Sequence, residues 1–140
     1  MFAMENRRHI LMMLAAGGLP LAGAAAESPI PNAVVDASKA KVSHEPFGDL
    51  RTFFEGPTGQ LKMMTAGSLL LKAGMEPHPP HQHPEEEFMV ITEGSGEVLV
   101  DGKKVHVSPG SMMYCEGNQL HGVKNTGTKP LLFYFYKWQA

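Results

Sequence analysis

From Asp49 onward the chain is written in short β-prone segments cut by glycine and proline: LRTFFE, LKMMTAGSLLLKA, EFMVITE, GEVLVDG, KKVHVS, SMMYC, HGVKN and LLFYFYKW. None sustains the spacing of an amphipathic helix, whereas Glu97-Val98-Leu99-Val100 and Lys104-Val105-His106-Val107 alternate as half-buried strands do. Closely spaced short strands with turn residues between them predict an antiparallel sandwich or barrel. Asp101-Gly102 is a two-residue hairpin signal, because both types tolerate the positive φ that such turns need. No repeat of propeller or solenoid length is present. The expectation is one all-β domain over residues 49–140.

What precedes it reads differently. Residues 27–48 contain Pro29, Pro31, Pro46 and Gly48 with little periodicity, and read as an arm or linker with a short strand at Ala33 to Val35. Residues 1–26 run from a basic start through an apolar centre to Ala24-Ala25-Ala26, the pattern of a bacterial secretory signal. The paired Arg7 and Arg8 give it a twin-arginine look, which implies export of a folded protein to the periplasm or beyond. Gly17, Gly18 and Pro20 argue against a retained membrane span, so no stable membrane anchoring is expected after cleavage.

In 140 residues, 12 Lys and Arg against 14 Asp and Glu leave a formal charge of −2, which provides no electrostatic footprint for nucleic acid. The lone Cys115 excludes an intramolecular disulfide. No Ser-His-Asp grouping, phosphate-cradling loop or dinucleotide fingerprint appears, so hydrolase and nucleotide chemistry have no motif to stand on.

The histidines are more specific. In HQHPEEEFMVITEG, His81, His83 and Glu87 share parity, so an extended chain would point them to one face, with same-face neighbours roughly 6.5–7 Å apart. His121, in HGVKN, supplies a fourth candidate ligand. Three imidazoles and a carboxylate without thiolate suit a divalent transition metal: Mn or Fe first, with Zn, Ni, Co or Cu as alternatives. Four protein ligands on a six-coordinate ion leave two positions for substrate or dioxygen.

The same residues resemble the motifs of the cupin superfamily. Its first motif is matched by Gly74, His81-Gln82-His83, Glu87 and Gly94, with the first gap one residue long of the usual; its second is matched by PGSMMYCEGNQLHGVKN, from Pro109 through His121 to Asn125. Ser111 stands where an acidic residue is common, and Glu116-Gly117-Asn118 where prolines are, although Gly117 and Asn118 both tolerate positive φ. The resemblance implies a double-stranded β-helix, or jelly-roll barrel, in a single domain with the metal inside. Family members with these ligands include dioxygenases, oxalate oxidases and decarboxylases, isomerases, lyases and noncatalytic proteins. It therefore implies a small-molecule ligand, with metal-dependent oxidoreductase, isomerase or lyase chemistry as one reading and noncatalytic capture of a sugar, organic acid or metal ion as the other. Pairing through sheet edges is common among such proteins, so a homodimer is within its scope, with Pro31 to Lys41 available as an exchanged strand.

Other residues carry weaker expectations. His78 lies in the proline-rich loop before His81 and is a candidate for proton transfer, against the plainer reading of an exposed loop histidine. Glu85 shares parity with Glu87 and competes for its role; the family spacing favours Glu87. Gln82 should point outward, Met89 should line the cavity, and Cys115 should be a small buried hydrophobe. His44 and His106 read as surface, Asn125 as a turn-fixing side chain, and Arg51 as a strand arginine, either solvent-facing or forked onto a substrate carboxylate.

Overall fold

The computed structural model describes residues 27–140, so the expected signal at 1–26 lies outside the described residues. Nine strands follow: β1 (Lys41–Glu45), β2 (Gly48–Gly56), β3 (Met63–Leu71), β4 (Glu86–Glu93), β5 (Gly96–Val100), β6 (Lys103–Val107), β7 (Met112–Cys115), β8 (His121–Lys124) and β9 (Leu131–Gln139). They form a six-stranded sheet in the order β1-β2-β3-β9-β4-β7 and a three-stranded sheet in the order β6-β5-β8. Every pairing is antiparallel. This is the single all-β domain of two antiparallel sheets expected from the segment pattern, in the jelly-roll form that the resemblance implies. No described helix is long and apolar enough to cross a membrane.

Alternation decides which way each strand faces. In LLFYFYKWQ, Leu131 and Phe133 are buried while the even-numbered Tyr136 is exposed, and the register sets Leu69 opposite Phe133 and Leu71 opposite Leu131. Ile91 from β4 and Val98 from β5, both 2 % exposed, meet them from the two sheets. Burying side chains of this size contributes about 1.5–3 kcal/mol each, before the entropy cost of ordering them. Register shifts at Thr52/Phe54 in β2 and Ile91/Glu93 in β4 bend the large sheet, as bulges do. The Asp101-Gly102 turn forms as the sequence predicts, with φ of 51° and 69° between Val100 and its partner Lys103.

The arm departs from expectation in two places. Lys41–Glu45 is a strand, paired from Lys41↔Thr52 to Glu45↔Gly48, so the sheet begins eight residues before Asp49. Conversely, Ala33 to Val35 is not a strand: Val34 is fully exposed and has no neighbouring chain to pair with.

Asn125 ties the end of β8 to the large sheet. Completely buried, its amide donates to the carbonyls of Leu71 at 3.0 Å and Lys129 at 2.8 Å, and its oxygen accepts from the Gly127 N–H at 3.0 Å. The turn-fixing role is the one observed. Asn125→Ala would strand these groups away from water, and an unmet buried polar group costs about 1–3 kcal/mol. We expect a loss of about 2–4 kcal/mol in urea unfolding, and a change below about 0.5 kcal/mol would show that the loop is held by other contacts.

Candidate metal centre

The two sheets meet at the site through main-chain bonds. His81 and His121 form an isolated bridge, each N–H donating to the other's carbonyl at 2.9 Å. One residue lies in the loop before β4 and the other starts β8, so this bridge sets two of the imidazoles side by side. His83 is placed by a second crossing, its carbonyl accepting from Asn118 N at 2.7 Å. Asn118 takes the positive φ of 62° expected for that turn, but Gly117 does not. Gly117 is needed for proximity instead: a Cβ there would stand 2.4 Å from the Pro84 carbonyl oxygen.

The donor atoms of His81, His83 and His121 all lie within 4.8 Å of one another, close to the roughly 4 Å that two nitrogens on opposite sides of one first-row ion would span. Second contacts fix the tautomers. His83 Nδ1 donates to the Glu85 carbonyl at 3.0 Å and His121 Nδ1 to the Gln119 carbonyl at 2.9 Å, leaving both Nε2 atoms without a proton in the neutral rings. Those two bare nitrogens face Glu87 Oε2 at 3.1 and 2.8 Å. A lone pair facing a carboxylate is repulsive unless a cation or proton lies between them. His121 Nε2 is also buried and, despite its 2.8 Å approach to Glu87, makes no hydrogen bond of acceptable angle. The three-imidazole cluster, with Glu87 beside it, is consistent with a metal ion.

The same contacts bias where protons sit. Burial pushes Glu87 up, but its contacts with His121 and His83 outweigh that and hold it down at about 2. Burial alone would lower His121, and Glu87 more than reverses it, raising the imidazole above its ordinary range. His81 is lowered to about 4 by burial and by the neighbouring imidazoles of His78, His121 and His83, so it is neutral at pH 7.

The remaining candidates sort by position. Glu85 is behind His83, with its carboxylate 3.3 Å from Nδ1, away from the Nε2 cluster, so it orients that ring. His78 stacks on His81 with ring centroids 3.7 Å apart and Nδ1 on the Pro79 carbonyl at 2.8 Å. Gln82 is exposed and Cys115 is buried, with its sulfur 3.5 Å from His121 Nδ1. His106 and His44 are on the surface, the latter 2.7 Å from Asp49. A cavity of about 110 Å³ adjoins the cluster; Met89 lines it as expected, together with His78, Phe47, Leu50, Phe133 and Phe135. Arg51 does not line it, since its neighbour Leu50 takes the inward position. Lys137 does line it, a residue the sequence reading passed over. The signal was legible: Lys137 continues the inward parity of Leu131, Phe133 and Phe135.

Residues 68–136 match the family model described as "Cupin domain". No curated protein matches the chain in sequence. Among solved structures, an RmlC-like cupin from Shewanella frigidimarina superposes with a TM-score of 0.67 at 15 % identity, covering 81 % of this chain and 96 % of that one. The polyketide cyclase RemF from Streptomyces resistomycificus gives 0.62 at 19 %, covering 77 % and 80 %. A predicted oxalate decarboxylase from Thermotoga maritima gives 0.61 at 19 %, covering 77 % and 100 %. At these identities the likenesses establish the fold alone.

The tautomers and charges predict how the site titrates. In metal-free protein, NMR should show His121 titrating above its ordinary 6.5 and His81 near 4, and Glu87→Gln should lower the His121 midpoint. For metal the sign is opposite to that of protons: affinity should fall as pH drops below 7, because His121, whose imidazole gains a proton most readily, must shed it to bind. An unchanged His121 midpoint in Glu87→Gln would show that the two groups do not interact.

Proposed function

We propose that this chain, which belongs to the cupin superfamily, holds one divalent transition metal on His81, His83, Glu87 and His121 and uses it to bind or transform a small oxygen-bearing molecule. The observation that carries the reading is the convergence of imidazole nitrogens and one carboxylate at the wall of an apolar cavity, with the buried His121 Nε2 left without a hydrogen bond. Manganese or iron suits the nitrogen and carboxylate donors, with zinc, nickel, cobalt or copper as alternatives. Such an ion supplies Lewis acidity and a place to hold ligand or dioxygen. The chain's own residues then do the rest: Glu85 and Gln119 carbonyls hold the imidazole tautomers, and Phe133 and Phe135 keep bulk water off the cavity wall.

Oxidoreductase chemistry of the dioxygenase kind is the leading reading. Noncatalytic capture is the second, favoured by one observation: His78, the acid–base candidate at the cavity, has its Nδ1 committed to the Pro79 carbonyl and its ring packed on His81. The names of two structural neighbours, a cyclase and a predicted decarboxylase, illustrate how many reactions this fold hosts. Export through the twin-arginine route, with loading in the cytoplasm, is part of the proposal.

Protein purified from its own export pathway should carry about one equivalent of metal by elemental analysis, and His81→Ala with His83→Ala should abolish it. Full metal in that double variant would overturn the ligand assignment. Loaded protein given phenols, diketones and organic acids should consume oxygen or release carbon dioxide, and His121→Ala should not; binding without turnover across the library selects the noncatalytic reading. Lys in place of both Arg7 and Arg8 should block export, and undiminished export would exclude the twin-arginine route.

A further inference from the structure

We propose that Lys137 makes the cavity selective for a small organic anion, its ammonium binding an anionic oxygen of the ligand while the ligand's short apolar body lies against Phe47, Leu50, Phe133 and Phe135. The inference deepens the metal-site reading and rests on it for the location of the ligand.

Register places the side chain. Lys137 stands directly opposite Glu87 on β4 and Thr65 on β3, and residues directly opposed in antiparallel strands share a face with Cβ atoms about 4.5–5.5 Å apart. Glu87 faces inward to the imidazoles, so Lys137 faces inward too, and it lines the cavity. The residue is partly buried at the cavity wall. Yet no carboxylate pairs with it within 4.0 Å among the described residues. The Glu87 carboxylate is turned to His83 and His121, and the outward Glu86 is held by Tyr114 and Trp138. The lysine therefore presents unmet donors to whatever fills the cavity.

The rest of the wall sets the ligand's size. At about 110 Å³ the cavity is smaller than the ~150 Å³ apolar cavity known to accept benzene, so the enclosed part of a ligand has about six non-hydrogen atoms or fewer. Aliphatic carbons suit Leu50 and the phenyl rings, and an anionic head suits Lys137. A short-chain carboxylate meets both requirements, whereas a neutral polyol such as a sugar matches neither the charge nor the apolar wall.

The test compares straight-chain carboxylates from acetate to hexanoate with their primary amides, which match them in shape and lack the charge. Calorimetry on metal-loaded protein should show the carboxylate preferred by about tenfold or more, with affinity rising through the short chains and failing at the longest. Lys137→Met should keep its metal by elemental analysis and lose about tenfold in carboxylate affinity with the amide unchanged; Lys137→Gln should do the same, and Lys137→Arg should retain the preference. Carboxylate binding as tight as wild type in Lys137→Met and Lys137→Gln overturns the inference, as does an absent preference in the wild type. Loss of metal in both variants also overturns it, by showing that Lys137 serves the ligand cluster. Should the wild type itself hold no metal, the metal reading fails by that measurement alone, while a carboxylate preference that vanishes in Lys137→Met still supports the lysine's role.

Discussion

The reciprocal bond between the main chains of His81 and His121 is the contact on which the site depends. Two 2.9 Å hydrogen bonds join a loop of the large sheet to the first residue of a strand in the small one, and each partner carries an imidazole. The chain thereby spends backbone bonds, which any sequence makes, to fix the separation of side chains that only a few sequences offer. Asn118 N on the His83 carbonyl adds a third crossing of the same kind, and Gly117 lets the turn come close enough for it. The ring positions follow from backbone geometry, so the imidazoles are held in place before any ion arrives, as preorganised sites require.

That preorganisation leaves an electrostatic conflict for a cation to resolve. Carbonyl acceptors at Glu85 and Gln119 take the Nδ1 protons and turn bare nitrogens toward Glu87. A proton settles it at some expense: Glu87 raises His121 against its burial, while His81 is lowered by burial and by the imidazoles around it, with less of the carboxylate to offset them. The two histidines differ through the company they keep: one faces the charge that stabilises a proton, the other faces rings that compete for it.

Much of this was legible because alternation and turn chemistry are local. The eight segments read after Asp49 correspond to β2 through β9, and Asp101-Gly102 forms its predicted turn. The strand β1 was not legible, because KVSHE is exposed at four of its five positions and forms by pairing along an edge, which leaves no apolar trace in the sequence. Val105 shows the same limit: it alternates with Val107 as though buried, but in the middle of the edge strand β6 it stays 46 % exposed. His81, His83, Glu87 and His121 do come together, although not through the shared strand face that their spacing suggests. His81 and His83 are in a loop broken by Pro84, not on one extended strand with Glu87, and it is the cross-sheet bonds that aim them. Spacing along the chain could suggest that these residues meet; it could not show what holds them.

Strand β9 joins the fold to the chemistry. Leu131 and Phe133 at its start are buried core, Phe135 is cavity wall, and Lys137 is a charge opposite Glu87, all on one face and two residues apart. A one-residue slip in its register would move core, wall and charge outward together, so the packing that stabilises Leu131 and Phe133 also guarantees the placement of Lys137. The gradient along that face, from apolar at one end to charged at the other, would give the proposed ligand, with its carbon end and anionic end, a single orientation in the cavity. Orientation of this kind needs no mobile element, because the same hydrogen-bonded ladder sets both ends of the cavity.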